Sequence, residues 1–115
     1  MVNVDTKWST HGDFGSDRAA WKGAPWTAGL YLLAIAKDAT LASLRDVRGP
    51  EGARLVRAMR DALRAAAWDV YGVPASKVRV FFHYQPQFYR LHAHCAPVSR
   101  RRFFFFFFSE AAVAL

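Results

Sequence analysis

The hydrophobic pattern changes period several times along the chain, and each change marks an element. LYLLAIA, residues 30–36, is an unbroken apolar run of strand length and reads as a buried strand. From Ala53 to Tyr71 the apolar residues Leu55, Met59, Ala62, Leu63, Ala66 and Val70 recur at spacings of three and four. Arg54, Arg57, Arg60, Asp61, Arg64 and Asp69 take the other side. That spacing predicts an amphipathic helix over 53–71, approached through a turn-rich stretch with Pro50 and stopped by Gly72 and Pro74. In KVRVFFHY, Val78, Val80 and Phe82 alternate with Arg79, Phe81 and His83, the signature of a half-buried strand over 78–84. A short Gln85, Pro86, Gln87 loop leads into a last strand over 89–98. No period survives across residues 9–27, which read as a loop. These elements predict an α+β fold: an antiparallel sheet of 30–36, 78–84 and 89–98 with one helix packed on a face.

The ending, RRRFFFFFFSEAAVAL, is different in kind. Six consecutive phenylalanines have neither helical nor strand amphipathicity and form an aggregation hazard where exposed. The expected domain is therefore residues 1–98, with 99–115 outside it. A chain of 115 residues has room for one small domain. Its net charge of +7 suits an anionic partner, whether nucleotide, nucleic acid or membrane surface, although part of the excess lies in Ser99 to Arg102. The single cysteine, Cys95, excludes an intramolecular disulfide and points to a reducing compartment. MVNVDTKW lacks the apolar region of a signal peptide, and no run reaches the roughly 18 apolar residues of a membrane span. The expectation is a soluble cytoplasmic or nuclear protein without a membrane partner.

The candidate chemistry lies in HYQPQFYRLHAHCAPV, residues 83–98. Strand alternation puts Arg90, His92 and His94 on one face and Leu91, Ala93 and Cys95 on the other. The apolar set can fill the core while the polar set looks into a cleft, and the short connection brings His83 near the same place. Imidazoles and a guanidinium converging on one face suit phosphate, since each donates hydrogen bonds to its oxygens. Two other readings stand beside this one. A histidine on a strand is often only a hydrogen-bonded structural residue, the simplest account of His11. A His-x-His pair can also hold zinc, but beyond His83 the sequence supplies no third or fourth ligand, so no metal is expected. Cys95, facing away, reads as a small core residue.

FFHYQPQFYRLHAH resembles the active-site strand pair of the scavenger mRNA decapping enzymes, a branch of the histidine triad superfamily. In that family a His-Tyr-x-Pro segment precedes an aromatic pair and a strand with alternating histidines. VDTKW (residues 4–8), LYLLAIA and SLRDV (residues 43–47) resemble further family segments, in family order. The resemblance implies a histidine triad-like sheet and hydrolysis of the 7-methylguanosine cap on short capped RNA or a cap dinucleotide. It makes His92 the nucleophile that forms a phosphohistidine, and an ordinary imidazole is largely neutral near pH 7 as this requires. It makes His94 and His83 phosphate contacts, places Lys7 near the triphosphate and Asp5 near the base, and implies no cofactor and a homodimeric enzyme.

The departures are specific. Arg90 stands where the family usually has its first triad histidine; it can bind phosphate but cannot exchange a proton near neutrality. Phe88 replaces a common tyrosine and Gln87 a common serine at substrate-binding positions. The family's N-terminal domain, which stacks on the methylated base, has no counterpart in the sequence; such stacking is worth about 1–3 kcal/mol. A general histidine triad nucleotide hydrolase and an inactive nucleotide-binding remnant are the alternatives. The segment Asp5, Thr6, Lys7, Trp8, similar to that of the cap enzymes, weighs against the first; Arg90 and the phenylalanine run weigh toward the second.

Overall fold

The computed structural model describes residues 1–4, 18–98 and 112–114. Five strands form one antiparallel sheet: β1 (Val2–Val4), β2 (Leu32–Ile35), β3 (Val78–His83), β4 (His92–Pro97) and β5 (Ala112–Ala114). Their spatial order is β1-β2-β4-β3-β5, and a single long helix, α1 (Gly49–Tyr71), joins β2 to β3. The fold is thus α+β, as the pattern predicts, with the histidine triad-like arrangement that the resemblance implies.

Register assigns the two faces. Leu32 and Val80 both pair with Cys95, and Ala34 pairs with Ala93, so these residues share a face. Arg64 of α1 acts electrostatically on the Cys95 thiol, which places that face under the helix. There Met59, Leu63, Ala67 and Tyr71, four residues apart along α1, are buried against the sheet. Burial of Met59 and of Leu63 contributes roughly 1.5–3 kcal/mol each. The opposite face carries Leu33 and Phe81, both paired with His94, and Ile35, paired with His92.

The helix begins at Gly49, four residues before the expected start, because Pro50 fits the first turn, where an amide donor has no partner to lose. It ends where the sequence places its end. Gly72 adopts a left-handed conformation (φ 69°) and its amide closes back on Ala67 and Trp68 carbonyls. β4 starts at His92 and not at residue 89. Residues 87–90 bend instead, and Leu91 donates its amide to the Leu41 carbonyl outside any strand ladder. β2 is likewise shorter than 30–36: Leu30 and Tyr31 are buried but follow directly on a 3-10 turn, Pro25–Gly29.

Two stretches differ from their sequence patterns. Within the aperiodic region, Arg18–Trp21 forms another 3-10 turn, and Trp21 is buried, stacked on Tyr71 at 5.9 Å and 9°. Burial of Tyr71 in this aromatic cluster raises its phenol pKa. Residues 112–114, beyond the expected domain boundary, pair along β3 from Phe81 to His83. The phenylalanine run at 103–108 lies outside the described residues.

Candidate active site

Because successive side chains on β4 alternate, His92 and His94 leave the sheet on the face away from α1 while Ala93 and Cys95 turn beneath the helix. His83, closing β3, joins them. The His83 and His94 ring centroids lie 4.4 Å apart and those of His92 and His94 4.9 Å apart. The three histidines that the sequence singles out therefore form one cluster.

His94 is its floor. It is buried, stacks on Phe81 at 5.1 Å and 19°, and meets Tyr31 edge-on, with the tyrosine hydroxyl 3.4 Å from Nδ1. This packing explains why Phe81, on the expected half-exposed side of its strand, is fully buried. His92 is buried as well, 6% exposed against 4% for His94. The Phe88 ring stacks on it at 4.1 Å and 6°, nearly parallel, while Phe88 itself remains 47% exposed. Nδ1 of His92 lies 2.7 Å from the Arg90 backbone oxygen. A carbonyl oxygen only accepts, so Nδ1 carries the proton, and the lone pair of the neutral ring is left on Nε2.

Arg90 enters this geometry through its backbone. Its guanidinium donates from Nε to the Ala36 carbonyl (2.9 Å) and from Nη2 to the Lys37 carbonyl (2.6 Å). The turn that receives it is held by Asp38, whose carboxylate accepts from the Thr40 amide and hydroxyl. Those two bonds from Thr40, with a smaller contribution from Arg90, hold the Asp38 carboxyl below its usual range.

The wall beside His92 comes from Ala42, Ser43 and Leu44. Ser43 caps the 3-10 turn Leu44–Asp46, and Asp46 in return accepts from the Ala42 and Ser43 amides, which lower its pKa. Ser43, Leu44, His83, Pro86, Arg90 and His92 surround a cavity of about 10 Å³, room for about one water. A larger groove of about 620 Å³ opens elsewhere, between α1 and the end of β2, and among the described residues no histidine lines it. Chemistry and volume thus part company, and the histidine cluster is the candidate site on chemical grounds. Cys95 is no competitor: burial pushes its thiol up to about 12, leaving no thiolate near neutral pH.

Of the substrate-binding candidates, Phe88 and His83 stand in the cluster, Gln87 is exposed on the adjoining bend, and Asp5 and Lys7 lie outside the described residues. Three neighbours escape the sequence reading. Tyr31 and Phe81 touch His94, and Arg45 lies over the Tyr84 ring at 5.6 Å, adding a cation beside the loop. Phe81 follows from strand parity only once its partner strand is known, and Tyr31 precedes β2, where parity does not apply.

Residues 17–103 match the family described as scavenger mRNA decapping enzyme C-term binding. Among curated relatives, the m7GpppX diphosphatase of Caenorhabditis elegans is 42% identical over 65 residues, 56% of this chain and 21% of the relative. That of Ascaris suum is 36% identical over 70 residues, 61% of this chain and 23% of the relative. The human m7GpppX diphosphatase is 37% identical over 65 residues, 56% of this chain and 19% of the relative. The alignments thus span about a fifth of the length of these relatives.

Proposed function

This chain belongs to the scavenger mRNA decapping enzyme C-terminal family, and from that premise we propose that it hydrolyses the 7-methylguanosine cap of short capped RNA or a cap dinucleotide, as a step of mRNA decay. The observation that carries the reading is the 2.7 Å contact of His92 Nδ1 with the Arg90 carbonyl, which leaves Nε2 as the nucleophile within a cluster of two further imidazoles.

The Nε2 lone pair attacks the phosphorus next to 7-methylguanosine. A P–N bond forms, and the bond from that phosphorus to the bridging oxygen breaks, with its electron pair leaving on a nucleoside or short-RNA diphosphate. At neutral pH this group departs as an anion. His94 and His83 donate to the non-bridging oxygens as charge spreads over them. Water then attacks phosphorus and gives up a proton to solvent, the P–N bond breaks with its electron pair returning to Nε2, 7-methylguanosine monophosphate leaves, and the imidazole is restored. Phe88 stacks on the face of the His92 ring, whereas the attacking lone pair lies in the ring plane. It therefore steadies the nucleophile without occupying the line of attack. Asp5 and Lys7 are proposed to close over the cap.

The test is hydrolysis of a methylated cap dinucleotide by the full chain and by His92→Asn, with chelator present. The expected outcome is turnover that survives chelation and falls by about three decades or more in the variant, as loss of a covalent nucleophile produces. A folded wild-type chain that leaves the dinucleotide intact would overturn the reading and favour a nucleotide-binding remnant.

A further inference from the structure

Arg90 stands where the family usually has a histidine, and the phosphate reading leaves its guanidinium's actual position unexplained. Two of its nitrogens grip consecutive carbonyls, Ala36 and Lys37, at 2.9 and 2.6 Å. The same residue's backbone oxygen, 2.7 Å from Nδ1, sets the His92 tautomer. These two roles are linked through one peptide unit. The peptide between Arg90 and Leu91 precedes β4, among bends where no ladder fixes its rotation. Its amide side donates to Leu41 at 2.9 Å, and the Leu91 carbonyl accepts from Ala36 at 2.9 Å. All four bonds thus end on residues 36–41, the turn organised by Asp38 through Thr40 and by the Leu41 amide on the Asp38 carbonyl. The guanidinium fork spans the start of that turn while the Leu91 amide holds its end, so the orientation of the Arg90 carbonyl depends on both anchors.

We propose that Arg90 is a positioning residue for His92: its side chain, locked onto the turn at residues 36–37, fixes the carbonyl that keeps the proton on Nδ1 and the lone pair on Nε2. An arginine suits this task because its planar fork meets two adjacent acceptors at once, which a lysine's single ammonium does less rigidly. The inference rests on the reading of His92 as nucleophile, but its first consequence is structural and is read without substrate.

The experiment is nitrogen-15 NMR of the histidine side chains in the full chain, Arg90→Met and Arg90→Lys, beside cap-dinucleotide kinetics on the same samples. The wild-type His92 is expected as the Nδ1–H tautomer. Arg90→Met, similar in reach but without donors, is expected to lower that share at least twofold, and Arg90→Lys to fall between. In kinetics, kcat falls roughly 10- to 100-fold while KM stays within about twofold, the signature of a misaimed nucleophile. A wild-type His92 protonated on Nε2 overturns the proposal outright. So does an unchanged tautomer in a folded Arg90→Met chain, or in Arg90→Lys should the methionine variant not fold. A tautomer that follows Arg90 in a chain that never cleaves the cap keeps this inference and removes the decapping reading. His92-dependent cleavage with an unmoved tautomer does the reverse.

Discussion

On β4 a single step along the chain separates two chemistries. His94 lies on the histidine face beside Tyr31 and Phe81, and Cys95 lies beneath α1 with no exposure at all. Strand alternation makes this division legible in the sequence, and so are the identities of the three clustered histidines. The role of Arg90 is not legible there, because period-2 alternation extends the strand through residue 90, whereas the chain bends before His92. The division predicts a reactivity. Burial pushes the Cys95 thiol up to about 12, so neither thiolate nor access is available at neutral pH. Alkylation by iodoacetamide at pH 7.5, followed by mass spectrometry, is expected to be at least about a hundredfold slower in the native chain than in denaturant. Equal rates would mean that the helix does not cover this face.

Among the elements, α1 shows best what local chemistry decides. Its apolar spacing and its stop at Gly72 follow from sequence alone. Its start follows less closely: Pro50 suits a first helical turn, but the apolar spacing begins only after Gly52, and the helix starts at Gly49. Gly72 bears a measurable load. Its φ of 69° disfavours any side chain, and a Cβ there would lie 3.1 Å from the Gly23 amide nitrogen and 3.3 Å from the Lys22 Cα, both backbone atoms. The Gly23 amide in turn donates to the Tyr71 carbonyl, tying the 3-10 turn that carries Trp21 to the helix end. Gly72→Ala is therefore expected to destabilise the fold by about 1–3 kcal/mol, read as a lower urea midpoint with unchanged slope. A midpoint within error of wild type would show that the helix end tolerates rearrangement. The aromatic cluster behind this contact was illegible for a plain reason: Trp21 and Trp26 sit in single turns too short for any period to register.

At the scale of the whole molecule, the sheet separates a helix side, which supplies most of the core, from a histidine side closed by the bend at residues 84–90. The tail bears on this division from one edge. Residues 112–114 pair with β3 from Phe81 to His83, alongside the strand that brings His83 to the cluster. Two effects then oppose each other in a chain ending at Val98. Removing Phe103 to Phe108 takes away an apolar run whose exposure favours association. Removing Ala112–Ala114 uncovers the β3 edge. That edge is short, and Lys77 and Arg79 put charge beside it, the usual protection against edge-to-edge pairing. The first effect should win: the shortened chain is expected to be at least severalfold more soluble than the full chain by light scattering, while melting as cooperatively and keeping its histidine resonances. Lower solubility, or histidine signals that shift together when the tail is removed, would instead show that the β3 edge and the His83 position depend on β5.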